Sequence, residues 1–241
     1  MSNYSILIFL LLVSNLAYSS YKEKIKVVKN YYHQIDPLYS KYVEKHLKRD
    51  SKKCAPHPKY IKKLDRYFSK KYTRNNPKVI KGRIRYLGFV PGKYLYKVYW
   101  EKDTLTVQAD IRVKNLKRVS RDDLKKLQVK FDSAARYFGH SQKFTFPVKF
   151  EFGITEEKKH VKTKIVSRHS RGPYFWRWSL KNSRNTHAHE FAHVMGLDDE
   201  YKNRPFNPSS KHCNQKSIMC KSRQGVALDY HYYVILRRVF C

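Results

Sequence analysis

Long hydrophobic runs are nearly absent from this chain of 241 residues, and only the first twenty residues contain one, from Ile6 to Val13. That run is too short to cross a bilayer comfortably as a helix. Small residues follow it, with Ala17 and Ser19 at positions −3 and −1 of a cleavage site after residue 19. We therefore expect residues 1–19 to be a signal peptide, and the mature chain to be secreted without a transmembrane segment.

Acidic residues are also scarce, since 19 Asp and Glu stand against 52 Lys and Arg and the formal net charge is +33. The first twenty residues contain none of these charged residues, so the charge persists after cleavage. Such a field attracts polyanions, which makes acidic polymers and anionic surfaces candidate electrostatic partners. No nucleic-acid-binding motif accompanies the charge, and we expect no specific nucleic acid recognition.

The chain has only four cysteines. An exported protein can form disulfides, and four cysteines can be joined in three different ways. Cys213 and Cys220 lie in one short loop segment, so we predict a disulfide between them. Cys54 and Cys241 are the expected second pair.

Residues 20–99 are interpreted as a basic N-terminal region that includes a hairpin. Loosely helical apolar spacing extends from Tyr21 to about Arg74. A strand from Ile84 to Val90, a turn at Pro91-Gly92 and alternation from Tyr94 to Trp100 predict the hairpin.

Residues 100–241 are predicted to form a second region of strands and helices. Alternation from Leu105 to Val113 indicates a strand with one buried face. Ser120 begins a long amphipathic helix, and a further helix is predicted to end at Gly196. The other expected elements are strands at 146–152, 161–166 and 174–180 and a last helix from Leu228 to Val239.

The helix that ends at Gly196 contains a pattern typical of metal sites. His189 and His193 are four residues apart, so both imidazoles project from one side of the helix and can share a tetrahedral ion. Glu190 lies beside them as a candidate general base for a metal-activated water. Two imidazoles and one carboxylate with an open position suit Zn²⁺.

The stretch His189-Glu190-Phe191-Ala192-His193-Val194-Met195-Gly196-Leu197-Asp198-Asp199 resembles the metzincin pattern HExxHxxGxx(H/D). Ser217-Ile218-Met219, twenty residues further on, resembles the Met-turn beneath the zinc in that clan. The resemblance covers roughly residues 100–241. It implies a secreted zinc endopeptidase in which His189, His193 and Asp199 bind one zinc ion, Glu190 is the general base and Met219 supports the site.

The implied fold is α+β, with a twisted mixed sheet, a long helix and an active-site helix above a small C-terminal subdomain that carries the Met-turn and a terminal helix. A thermolysin-like arrangement is disfavoured because no Glu follows Glu200 and the only later Asp is Asp229. Lys221 stands where some metzincins have a tyrosine, so the residue that stabilises the oxyanion is unidentified, with Tyr201 as a candidate.

Several alternatives stay open at this point. The third ligand could be Asp198 or Glu200, which flank Asp199. His187 is interpreted as a cap or surface residue and His212 as a solvated one. Lys53-Cys54-Ala55-Pro56 faintly resembles a cysteine-switch segment, and residues 20–80 could be a removable pro-segment. The alternative function is a cationic binding protein for acidic surfaces or polymers on a metallopeptidase-like fold.

Overall fold

The computed structural model describes residues 23, 26–34, 37–50, 57–64, 71–86, 90–166, 177–200 and 213–241. The predicted signal peptide, Cys54, Tyr201 and His212 lie outside these residues. The described chain has an α+β fold with a mixed sheet and several helices. None of the described helices combines the length and apolar character needed to cross a membrane.

The described residues between 23 and 64 include three helices, as the apolar spacing of this segment predicts. Helix α1 includes residues 26–34, α2 spans Pro37–Arg49 and α3 spans Pro58–Ile61. Val43 and Leu47 of α2 are fully buried in the main hydrophobic core. The N-terminal helices therefore pack as part of the same folded body as the following sheet.

Six strands of the described chain form the sheet. They are β1 (Lys78–Tyr86), β2 (Val90–Glu101), β3 (Thr104–Val113), β4 (Val148–Thr155), β5 (Val161–Val166) and β6 (Arg177–Ser179). Strands β1, β2 and β3 are successively antiparallel, β4 and β5 are parallel to β3, and β6 is parallel to β5. The predicted boundary between residues 99 and 100 falls within β2.

The predicted hairpin is confirmed, but its turn was predicted at the wrong position, Pro91-Gly92. Both residues lie within β2, opposite Arg85 and Ile84, and the ladder continues to the pair of Tyr86 and Val90. The strands connect through residues 87–89, which lie outside the described chain. Pro91 has no backbone N–H to donate to a neighbouring strand, and this is tolerated because it lies at the start of β2.

Strand β3 is confirmed, whereas its predicted single buried face is wrong. Leu105 and Val107 are buried on one side, and Thr106 and Asp110 are buried on the other. The reason is its position, because β3 pairs with β2, β4 and β5. Side chains of these neighbouring strands flank Thr106 and Asp110, and they shield the face of β3 that was expected to be solvated.

Three further helices follow in the chain and pack against the sheet, namely α4 (Arg121–Gly139), α5 (Arg184–Val194) and α6 (Asp229–Arg237). The hydroxyl of Ser120 accepts the Asp123 N–H at 3.1 Å, which confirms the predicted start of α4. Short 3₁₀ turns occupy Leu116–Arg118 and Arg238–Phe240. Aromatic side chains from α4, β4 and α5 fill the space between the layers: Phe131, Phe152 and Phe191.

A buried ionic junction connects α2 to the C-terminal helix. The Asp50 carboxylate accepts hydrogen bonds from the guanidinium groups of Arg237 and Arg238, with Arg238 Nε at 2.9 Å. Both arginine side chains are almost fully buried. Burial raises the pKa of Asp50, but Arg238 and Arg237 more than offset that effect and lower it below its usual range.

We expect Asp50→Asn to destabilise the fold by about 3–5 kcal/mol, because it leaves two buried arginines without their counter-charge. Urea unfolding at neutral pH would measure the loss. Since the folded-state pKa of Asp50 is lowered, its contribution is present at neutral pH and disappears as the pH falls through that value. Glu44→Gln is the control, because the lysine partners of Glu44 are exposed. Equal shifts in the two variants would contradict this role for Asp50.

Candidate metal centre

His189, His193 and Asp199 converge on one point. One ligand atom from each lies within 4.8 Å of the others. Asp199 Oδ1 is 3.5 Å from His189 Nε2 and 3.4 Å from His193 Nε2. Two ligand atoms that each lie about 2.1 Å from a tetrahedral ion are about 3.4 Å apart, so the spacing fits one shared ion.

The hydrogen bonds of the two imidazoles determine which nitrogen faces that point. His189 Nδ1 is 2.8 Å from the carbonyl oxygen of Ile218, and His193 Nδ1 is 2.8 Å from that of Leu197. A carbonyl only accepts, so each Nδ1 carries a proton and donates it. Each Nε2 atom is thereby directed toward Asp199, and in the neutral ring it would offer its lone pair to a metal, as in metal sites whose outer contacts orient the ligands.

This arrangement requires a positive charge between the three groups, because lone pairs and a carboxylate otherwise face one another. Burial opposes protonation of His193, yet Asp199 raises the pKa of His193 to about 9. Burial lowers the pKa of His189 to about 4. A metal ion would take the place of the proton on His193, so metal affinity should weaken as the pH falls.

The turn after α5 brings Asp199 back beneath the helix. Ser183 caps the start of α5 by accepting the Thr186 N–H. Gly196 has a φ of +82°, in the left-handed region, and its N–H donates to the His193 carbonyl at 2.8 Å. A Cβ at Gly196 would also lie 2.7 Å from Arg238 Nη1 and Tyr94 Cγ. Glycine is therefore required here by conformation and by space.

The three consecutive acids have different partners, and this difference favours Asp199 as the candidate third ligand. Asp198 points away from the histidines, and its carboxylate accepts from Arg49 Nη1 at 2.7 Å and pairs with Lys45 Nζ at 3.0 Å. Glu200 accepts from the hydroxyl groups of Ser217 and Tyr230 and from His231 Nε2. Only Asp199 of the three faces the two imidazoles.

The segment that resembles the Met-turn lies directly against the site. Its Ile218 carbonyl is the acceptor for His189, and Met219 is fully buried. The Glu200 N–H donates to the Met219 carbonyl at 3.1 Å, which ties this turn to the acid that follows Asp199. The Sγ atoms of Cys213 and Cys220 are 1.99 Å apart, so the predicted pair is at disulfide distance. The second predicted pair involves Cys54, outside the described residues.

Glu190 is the acid that sequence reasoning assigns as general base. It lies on α5 between the two histidines and is only 3% exposed. Burial raises the pKa of Glu190 to about 7. Among the described residues its Oε1 atom has no hydrogen-bond partner. A buried carboxyl with a pKa near neutrality suits reversible proton transfer.

The interpretation of His187 as a cap or surface residue is wrong. Its side chain is fully buried and packs against the rings of Phe131 and Trp178. The reason is that α5 is covered on every side, with residues 187–194 all buried, so the helix has no solvent face. Phe191 of the same helix is fully buried as well.

The N-terminal region contributes to this site through contacts that no pattern in the sequence indicates. Arg49 of α2 donates to the Asp198 carboxylate and, through Nη2, to the Gly196 carbonyl at 2.8 Å. The Tyr42 hydroxyl donates to the Asp198 carbonyl at 2.8 Å. Arg238 adds a bond to the Met195 carbonyl at 2.7 Å. Polar side chains thus hold both ends of the short segment that presents Asp199.

We expect Arg49→Ala to weaken metal affinity by about 10- to 100-fold, the usual effect of losing an outer contact that orients a ligand. Arg49→Lys should restore only part of it, because an ammonium lacks the guanidinium fork. Competition with a chromogenic chelator would measure the affinity. Arg74→Ala removes an arginine that pairs with Glu101 and Glu151 instead and should leave it unchanged. Unchanged affinity in Arg49→Ala would show that the contact does not orient Asp199.

Comparison of the chain with models of protein families, with curated proteins and with solved structures found no match. The candidate metal centre therefore rests on its own geometry and donor chemistry. These comprise three convergent ligands, two imidazoles oriented through Nδ1, and a buried carboxyl next to them on the same helix.

Proposed function

We propose that this protein is a secreted, zinc-dependent endopeptidase with a metzincin-like catalytic region. The observation that carries the proposal is the convergence of His189, His193 and Asp199, with Glu190 buried on the same helix. The order of elements supports it as well, since a long helix, strands, the ligand-bearing helix, the turn at Met219 and a terminal helix follow one another. The signal peptide would direct export and would be removed by cleavage after residue 19.

His189, His193 and Asp199 would hold one zinc ion. When bound, zinc lowers the pKa of a coordinated water to about 7 and polarises a carbonyl group. Two imidazoles and one carboxylate are a donor set that leaves a position open for chemistry. The hydrogen bonds to the carbonyls of Ile218 and Leu197 keep both rings oriented for binding.

Glu190 would move the proton. As a carboxylate, it accepts a proton from the attacking water while that water adds to the peptide carbonyl carbon. It then returns the proton to the amine that leaves when the C–N bond breaks. Burial favours the neutral acid and so keeps the pKa near 7, which allows both directions of transfer at neutral pH.

We further propose that residues 37–50 remain part of the active protein and are not a removable pro-segment. Tyr42, Val43, His46 and Leu47 of α2 are buried, and Arg49 contacts the segment that presents Asp199. Removal of α2 would expose that apolar surface and leave the Asp198 carboxylate without Arg49 and Lys45. Any processing after signal cleavage would fall before α2.

The deciding experiment combines metal analysis with a cleavage assay on the purified protein. Near-stoichiometric zinc together with cleavage of an unstructured protein, both abolished by a chelator and restored by added zinc, is the expected result. Protein that contains no zinc and takes up none would overturn the proposal and favour the cationic binding protein. Zinc without cleavage of any of a panel of unfolded polypeptides would overturn the peptidase assignment and leave the metal site.

A further inference from the structure

One face of the sheet carries basic side chains in directly opposed positions. Arg112 of β3 lies opposite Lys162 of β5, and Lys164 of β5 lies opposite Arg177 of β6. Side chains alternate along a strand, so Lys162 and Lys164 project from the side of β5 opposite to the buried Thr163. These four residues, here called the cationic cluster, therefore form one continuous surface.

The cationic cluster is accessible and lacks counter-charges. Lys162, Lys164 and Arg177 are exposed and Arg112 is half-buried. In the part of the chain that the structure describes, none of the four forms an ion pair. The nearby acids have other partners, since Asp110 accepts from Gln108 and Glu157 pairs with Lys97. Like charges directly opposed across strands destabilise a sheet, and a bound anion would offset that cost.

The spacing of the cluster determines what kind of anion fits. Adjacent strands lie about 4.8 Å apart, and residues i and i+2 about 6.6 Å apart along one strand. The four charges thus form a small flat array that faces several anionic groups of an extended chain at once. Arg83 and Lys93, opposed across β1 and β2, repeat the motif elsewhere in the sheet.

Other polyanions fit the described face less well. Single-stranded nucleic acid is bound through aromatic rings on which bases stack, and the described residues on this side of β3, β5 and β6 include no exposed ring. Stable membrane association needs an apolar anchor besides charge. The exposed large hydrophobic residues of the described chain, Val27, Tyr60, Val79 and Val129, all lie outside these three strands.

We propose that the cationic cluster is a binding site for a linear sulfated polysaccharide. The side chains involved emerge from the opposite face of the sheet to Ile165 and Trp178, which are buried in the core next to α5. The cluster is thus separate from the candidate metal centre. It would hold the protein on an acidic polymer whether or not the metal centre is catalytic.

The test uses the full mature chain and size-defined heparin oligosaccharides, with affinity measured by titration at several NaCl concentrations. The variant Lys162→Gln/Lys164→Gln/Arg177→Gln should bind at least about 10-fold more weakly and show a shallower dependence of log affinity on log salt concentration. The control Lys59→Gln/Lys125→Gln/Lys126→Gln removes the same number of exposed charges from α3 and α4 and should change the affinity less than about 3-fold.

Equal losses in the two variants would overturn the proposal, because they would indicate binding by overall charge alone. No loss in either variant would overturn it as well. Single-stranded DNA and vesicles with anionic lipid serve as parallel probes. A larger loss for either probe than for heparin would assign the cluster to that partner and reject the polysaccharide. Thermal unfolding of both variants verifies that the fold is intact.

Discussion

Glu190→Gln is expected to abolish peptide hydrolysis and to leave the metal in place. Glutamine keeps the shape of the buried side chain, but it cannot accept the proton of the attacking water. General base catalysis contributes about 10²- to 10⁴-fold to rate, so kcat/KM on an unstructured polypeptide should fall at least 100-fold. Zinc content by elemental analysis should not change, because Glu190 is not among the three convergent ligands.

The same variant separates the two functions that the sequence leaves open. A cationic binding protein would lose nothing on replacement of Glu190, since its surface charge and its fold are retained. Unchanged cleavage in Glu190→Gln would remove this residue from the mechanism and point to another base. Loss of zinc together with activity would instead mean that the carboxyl stabilises the site itself. The thermal midpoint should not fall, because neutral glutamine suits the buried position.

His193→Ala is expected to remove the metal. It deletes one of two imidazoles and leaves a single nitrogen ligand with Asp199, which is too few for a tight zinc site. Zinc should fall from near stoichiometric to background after dialysis, and cleavage should fall with it. A protein that folds around bound metal also loses the stabilisation that binding supplies, so its thermal midpoint should no longer respond to added zinc.

His187→Phe is the matched control for that loss. His187 lies on the same helix and is also buried, but its ring packs between Phe131 and Trp178, away from Asp199. An aromatic replacement keeps much of this packing, and we expect zinc content to stay at the level of the parent protein. Equal zinc loss in both variants would show that α5 is sensitive to any change, and the assignment of His193 as a ligand would then be unsupported.

The local elements of this protein were largely predictable, because period and capping are properties of neighbouring residues. The position of strand β3 and the Ser120 cap of α4 were both predicted correctly, although β3 is buried on both faces. The predictions that failed concern the environment of a residue in the folded chain. The turn at Pro91-Gly92 was wrong because the ladder of β1 and β2 extends past it, and His187 was wrong because α5 has no solvent face.

The convergence of the candidate ligands was predictable from spacing, since two histidines one helical turn apart and a glycine that permits a left-handed turn restrict where the next acid can lie. The sequence by itself therefore predicted the residues of the candidate metal centre, the candidate base on the same helix and the overall α+β class. It could not choose rigorously among Asp198, Asp199 and Glu200, which are adjacent and chemically alike.

Only the tertiary structure distinguishes these three acids, because it supplies different partners to each of them. Arg49, some 150 positions earlier in the chain, engages Asp198, and Tyr230 and His231 of the last helix engage Glu200. Such contacts have no signature in local spacing, since they depend on how distant helices pack. The same packing placed α2 against the candidate metal centre and brought Lys164 opposite Arg177 in the cationic cluster.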